Sequence, residues 1–224
     1  MKHPEENLNP ESIAPETFTP ETEPAVAGEI FGANIGKARI YFNALVRDSD
    51  ELGLLGPREM PKLWTRHILN SAVVAESLVA GDTVADVGSG AGLPGIPMAI
   101  ARPDVHFTLI EPMERRAGWL QQQVEDLKLE NVTVIRARAE EVTDRKFSVV
   151  TARAVSALPK LLRLCVPLLQ PGGRVVALKG SKAQEEIDDS KPLMKKLKIR
   201  DFEIVFNGVK HLAEPTRVVI TRLI

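Results

Sequence analysis

Thr83-Val84-Ala85-Asp86-Val87-Gly88-Ser89-Gly90-Ala91-Gly92-Leu93-Pro94-Gly95-Ile96-Pro97 is the stretch whose reading decides the fold. Val84, Ala85 and Val87 form a short apolar run around one acid, Asp86. A glycine-rich turn follows, where positive φ and a missing Cβ let backbone approach a ligand. Proline then stands where a helix would start, a place that tolerates it because its missing N–H has no partner there. The order is strand, tight loop, helix. That is the first unit of a doubly wound α/β sheet, whose ligand crevice lies beyond the carboxyl ends of the strands.

The loop alone leaves the ligand open. Gly90-Ala91-Gly92-Leu93-Pro94-Gly95 satisfies the dinucleotide pattern GxGxxG, and Glu111 follows at about the twenty-residue distance of a ribose-binding acid. A site for S-adenosylmethionine needs the same glycine bend and the same acid. A third reading is a tight βα turn in a fold that binds something else.

Composition narrows the class. The chain of 224 residues suits one domain with an appendage, and a hydrophobic fraction of 44% supplies a core. It holds no run of eighteen apolar residues and no basic start leading into an apolar segment, so a cytoplasmic protein off the membrane is expected. One cysteine, Cys165, makes neither an internal disulfide nor a metal cluster, and its leucine neighbours predict a buried apolar role. Residues 1–29 carry seven glutamates, one lysine and five prolines, the composition of a disordered acidic arm. Beyond it stand 28 basic against 23 acidic residues, a mildly basic remainder compatible with a polyanionic partner.

Taken in order, ordered structure is expected to begin near Ile30. Ile35, Ala38, Tyr41, Phe42 and Leu45 recur at one-sided helical spacing, and 62–80 reads as a second helix, giving a helical preface over 30–80. The remaining residues, 81–224, form the main domain. Strands are predicted at 105–110, 132–135, 147–151 and 174–178, with helices at 114–127 and 158–169 between them. After a polar helical stretch the pattern changes: 202–206 and 217–223 read as two strands with no helix between, hence antiparallel. Five βα units capped by a hairpin match a Rossmann-like, seven-stranded, mostly parallel methyltransferase sheet better than a six-stranded dinucleotide domain.

Three pieces then carry a family resemblance: Leu63-Trp64-Thr65-Arg66-His67-Ile68-Leu69-Asn70-Ser71, the loop Asp86 to Pro97, and the later Arg153-Ala154 with Ala177-Leu178-Lys179-Gly180. Together they resemble the bacterial RsmG (GidB) family of small-subunit (16S) ribosomal RNA guanine-N7 methyltransferases, from about Lys37 to the C-terminus. The resemblance implies S-adenosylmethionine as cofactor and 16S RNA or the small subunit as partner. It implies that Gly88, Gly90 and Leu93 line the cofactor pocket, that Ala139 and Glu140 contact the adenine, and that Arg153 closes the site. Glu111 takes the ribose position, although Glu111-Pro112 stands where the family commonly has Asp-Ser, and Asn70 stands where it frequently has Asp.

Each position also has a plainer reading. Glu140 and Glu141 suit a solvated pair opening a helix, and Arg153 or Lys179 a surface charge. Arg66 and His67 suit either contact with RNA phosphate or an anchor between preface and sheet. Arg58, Lys62, Arg66, Arg115, Arg116, Lys179 and Lys182 are candidates for holding backbone phosphates. Guanine N7 has an in-plane lone pair and no proton, so transfer to it needs no general base, and neither an Asn-Pro-Pro-Tyr tetrapeptide nor a suitably placed nucleophilic cysteine is found. No metal is expected, and a monomer is. Two other functions fit the same fold: a small-molecule methyltransferase, and a non-catalytic RNA-binding or ribosome-assembly module.

Overall fold

A strand points alternate side chains to opposite faces, and the short apolar runs of this chain assemble into one seven-stranded sheet of order β3-β2-β1-β4-β5-β7-β6. The structure, a computed structural model, describes residues 18–153 and 156–224. The first seventeen residues of the expected acidic arm and Ala154 of the third motif lie outside the described residues. The strands are β1 Thr83–Val87, β2 His106–Ile110, β3 Val132–Ile135, β4 Phe147–Arg153, β5 Leu169–Leu178, β6 Ile199–Asn207 and β7 Thr216–Leu223. The first five run parallel, and β7 pairs antiparallel with both β5 and β6. The sheet is therefore mixed, mostly parallel and closed by an antiparallel hairpin, as its sequence pattern predicts.

Two cores follow from the alternation. Val84, Phe107, Leu109, Val149, Val176 and Val218 face one layer, and Ala85, Ile110, Val150, Val175, Ala177 and Val219 face the other. The first layer holds α1 Val26–Phe31, α2 Ile35–Leu52, α4 Gly95–Ala101 and α5 Glu114–Asp126, together with a helical run through residues 63–77. That run is a π-helix at Leu63–Leu69, a turn of α-helix, α3, at Asn70–Ala72, and a 3-10 turn at Val73–Ser77. The second layer holds α6 Leu158–Cys165 and α7 Ala183–Ser190, and α8 Met194–Leu197 leads into β6. Cys165 is buried in this second core, and burial pushes its thiol up to about 12.

The expectation that ordered structure starts near Ile30 is corrected by α1 and by the residues before it. Glu21 donates its N–H to the Met60 carbonyl at 2.9 Å, and its carboxylate accepts the Thr65 N–H at 3.0 Å. Glu23 forms a two-pronged pair with Arg39 at 2.7 and 2.8 Å. The acidic composition of 1–29 predicts a disordered arm, but two of its acids, Glu21 and Glu23, have fixed partners on the preface. Among the described residues no helix is long and apolar enough to cross a membrane, and no group of His, Cys, Asp and Glu is arranged to hold a metal ion.

Candidate active site

The carboxyl edge of a parallel sheet is where chain reversals leave a crevice. Here that edge collects the loop after β1, Glu111 after β2, the 3-10 turn Ala139–Glu141 after β3, and Arg153 at the end of β4. Because β7 is antiparallel to β5 and β6, the end of β6 and the start of β7 meet the same edge, with Phe206 opposite Arg217 and Leu178 beside Val218.

The glycine loop is held from three sides. Gly88 and Gly90 have φ of 68° and 55°, which side-chain-bearing residues seldom adopt. Glu111, 3% exposed, accepts the Gly90 N–H at 2.9 Å with one carboxylate oxygen and the Met113 N–H at 2.9 Å with the other. Tyr41, buried on α2, donates its hydroxyl to the Ala91 carbonyl at 2.5 Å, so the preface buttresses the loop from behind. Beneath it, Asp86 accepts the Gly95 N–H at 3.1 Å, tying β1 to the first turn of α4. Burial pushes the Asp86 carboxyl up to about 7, and its second oxygen has no hydrogen-bond partner among the described residues. An unpartnered buried carboxylate oxygen beneath a bend of bare backbone suits a cationic ligand group, because a positive charge there would offset the desolvation of Asp86. Leu93 is buried in the loop and Ala139 is buried across the crevice, while Glu140 is exposed at its rim. Glu141 turns back to accept the Arg138 N–H at 2.8 Å. This donor set fits an adenosyl sulfonium: small and apolar walls, an acid beside the bend, and no competing cation on Glu111.

Arg153 reaches from β4 to the preface. One guanidinium nitrogen donates to the His67 carbonyl at 3.2 Å and to the Ser71 hydroxyl at 3.0 Å; the other lies 2.6 Å from His67 Nδ1. Arginine only donates, so Nδ1 must accept, and the ring proton sits on Nε2, which donates to Glu59 at 2.6 Å. Burial, reinforced by the Arg153 charge, lowers His67 to about 4, so the ring is neutral near pH 7. The hydrogen bond from His67 lowers the Glu59 carboxyl from its ordinary value, against the effect of its burial. The plain surface-charge reading of Arg153 is thereby excluded: it is half-buried, with no carboxylate partner among the described residues.

Two residues expected to touch RNA have their polar groups engaged within the fold. His67 is 5% exposed with both ring nitrogens engaged, so its side chain is the anchor between preface and sheet. Lys179, its side chain buried, donates to Glu186 and to the Ser156 carbonyl at 2.8 Å each, pinning α7 under the segment after β4. Arg66, by contrast, is 58% exposed, only 3.7 Å from Glu59, and lines a groove of about 840 Å³ with Arg153, Leu178, Phe206 and Arg217. Among the other basic candidates, Arg116 donates to the Gly53 carbonyl at 2.7 Å and Arg115 lies 3.9 Å from Glu51, both tying α5 to the preface. Glu59, Tyr41 and Ser71 were not singled out in the sequence. Ser71 ends the first motif but carries no role there, and the partners of the three are dozens of residues away or, for Glu59, eight residues on across a loop.

Comparison with known proteins agrees with this geometry. The family described as rRNA small subunit methyltransferase G matches residues 34–213. A protein named ribosomal RNA small subunit methyltransferase G from Clavibacter michiganensis subsp. michiganensis is 50% identical over 210 residues, covering 93% of this chain and 99% of its own. Its namesake from Leifsonia xyli subsp. xyli is 52% identical over 204 residues, 91% of this chain and 97% of its own. Among solved structures, M. jannaschii TYW2 in complex with AdoMet aligns with a TM-score of 0.56 at 21% identity, over 71% of this chain and 76% of that one. A SAM dependent methyltransferase from Aquifex aeolicus aligns at 0.53 and 18% identity, over 76% of this chain and the whole of its own. At such identities these two likenesses concern the fold.

Proposed function

The chain belongs to the rRNA small subunit methyltransferase G family, and from that premise we propose that it transfers the methyl group of S-adenosylmethionine to N7 of a guanosine in 16S ribosomal RNA. The observation that carries the reading is the pairing of two sites at one sheet edge: the clamped glycine bend over Asp86, and the arginine-lined groove that opens beside it at Arg153.

The cofactor supplies a methyl group on a cationic sulfur. Gly88, Gly90 and Leu93 would hold it by backbone and apolar contact, Glu111 by its remaining lone pairs, and Ala139 and Glu140 from across the crevice. Arg153 would meet an anionic group, the cofactor carboxylate or an RNA phosphate, since it brings to the edge a positive charge with no carboxylate partner among the described residues. Positive charge moves from sulfur to the base during transfer, and N7 has no proton to remove. Catalysis then reduces to holding two reactants in line, which contributes about 7–11 kcal/mol when the geometry is near attack. The protein is taken to do this as a cytoplasmic monomer without a metal.

The test is incubation with labelled S-adenosylmethionine and under-methylated small subunits or their RNA, followed by mapping of the modified base. Label is expected at N7 of one guanosine. Label on an exocyclic amine would refute the base-free mechanism, and turnover that persists in RNA-free extract would favour a small-molecule substrate. Absence of any cofactor binding at high micromolar concentration would favour a non-catalytic RNA-binding role.

A further inference from the structure

The groove contains an aromatic ring that packing alone does not explain. Phe206, near the end of edge strand β6, is 50% exposed and is the one aromatic side chain among the exposed large hydrophobics of the described residues. Apolar rings are ordinarily put away from water because exposure forfeits the free energy of burial. Directly across the hairpin, Arg217 lays its guanidinium over the ring, 5.3 Å from the centroid. Arg217 has no carboxylate partner among the described residues.

The position is as informative as the exposure. Phe206 and Arg217 line the same groove as Arg153 and Arg66, so the ring lies along the path from the candidate methyl-transfer site. Thr216 fixes the start of β7 by donating to the Asn70 side-chain oxygen at 3.1 Å, and Glu76 accepts the Gly208 N–H at 2.9 Å. The loop that joins the two strands beside the ring is therefore tied to the preface at both of its ends. Proteins that grip single-stranded RNA combine cationic grooves with aromatic faces on which bases stack, because every base has a π-face.

We propose that Phe206, backed by Arg217, is a stacking platform for a nucleobase that neighbours the methylated guanosine. This rests on the RNA-methyltransferase reading given above. It makes Phe206 a substrate-positioning residue: stacking there would hold the strand unstacked from its own neighbours while the target base turns toward the bend over Asp86.

The experiment uses the full chain with Phe206→Ala and Phe206→Trp, under-methylated small-subunit RNA and S-adenosylmethionine. Phe206→Ala is expected to raise the RNA KM about 5- to 150-fold, the range for one lost base stack, with kcat and cofactor affinity within about twofold of wild type. Phe206→Trp is expected to keep the KM near wild type, and RNA, but not the cofactor, is expected to quench the fluorescence its added indole brings. An unchanged KM in Phe206→Ala, or an indole that RNA leaves unquenched, overturns the platform. Should the wild-type chain label no guanosine, the function reading fails by itself; quenching of the new indole by RNA would still support the platform, and its absence would still refute it.

Discussion

Gly95→Ala is the substitution whose consequence the geometry fixes most narrowly. Gly95 opens α4, and a Cβ built there would lie 2.3 Å from Leu109 Cδ2, 2.7 Å from Asp86 Oδ2 and 3.2 Å from Asp86 Cβ. Leu109 and Asp86 are both fully buried, so neither can swing into solvent to make room. The helix must draw back or the core must shift, and overpacking of this kind costs about 1–3 kcal/mol. Withdrawal also breaks the Gly95 N–H to Asp86 bond of 3.1 Å, which adds about 1.5–3 kcal/mol when the acceptor is ionised and less when it is protonated. Alanine returns at most about 1 kcal/mol in helix propensity. The net is a loss of about 2–4 kcal/mol, or roughly 5–15 °C in melting temperature for a domain of this size. Thermal and urea unfolding read the loss, and titration with S-adenosylmethionine should show weaker binding because the same shift displaces the glycine bend. Gly118→Ala is the control: that glycine lies within α5 with nothing within 4 Å of its added Cβ, and a gain of about 0.5–1 kcal/mol is expected. A Gly95→Ala protein that melts with or above wild type would refute the close-packing account of the loop.

Three further outcomes follow from other residues. His67 is lowered from 6.5 to about 4 in the folded protein, so the unfolded chain binds the extra proton first and stability falls as pH drops from about 6.5 to 4, by up to about 3 kcal/mol; Asp86, raised to about 7, has the opposite slope, so the comparison of wild type with His67→Gln at each pH isolates the histidine, and identical pH profiles would remove its neutral, buried role. Arg174→Met leaves Asp82, 5% exposed and paired with it at 2.6 Å, as a buried carboxylate without its cation; a loss of about 3–5 kcal/mol in urea unfolding is expected, and a loss under 1 kcal/mol would mean that Ser148 and the Val79 N–H suffice. RNA affinity should fall steeply with salt because phosphate contacts release counterions, and Arg66→Gln should lower that slope; a flat salt response in the wild-type protein would take the arginine-lined groove out of the substrate path.

The local grammar of this chain was legible because it is written in consecutive residues. Short apolar runs placed the strands, the Gly88–Gly95 bend announced a backbone that only glycine reaches easily, and two late strands without a crossover required the antiparallel hairpin. The place of Glu111, after the second strand, could be counted from the bend. What the chain's order did not reveal is which charges find partners. Lys179 reads as a solvated or RNA-facing group, yet Glu186 claims it, and of the two readings of His67, RNA contact or anchor, Glu59 and Arg153 select the anchor. Glu21 and Glu23 looked like members of a loose acidic tail, yet Thr65 and Arg39 fix them. Backbone conformation is set by neighbours along the sequence, so sequence alone determined where the strands lie and that a glycine bend follows the first of them. Burial and ion pairing are set by which distant elements meet, so only the tertiary structure decided which cations lie open on the groove, and that Phe206 and Arg217 face each other there.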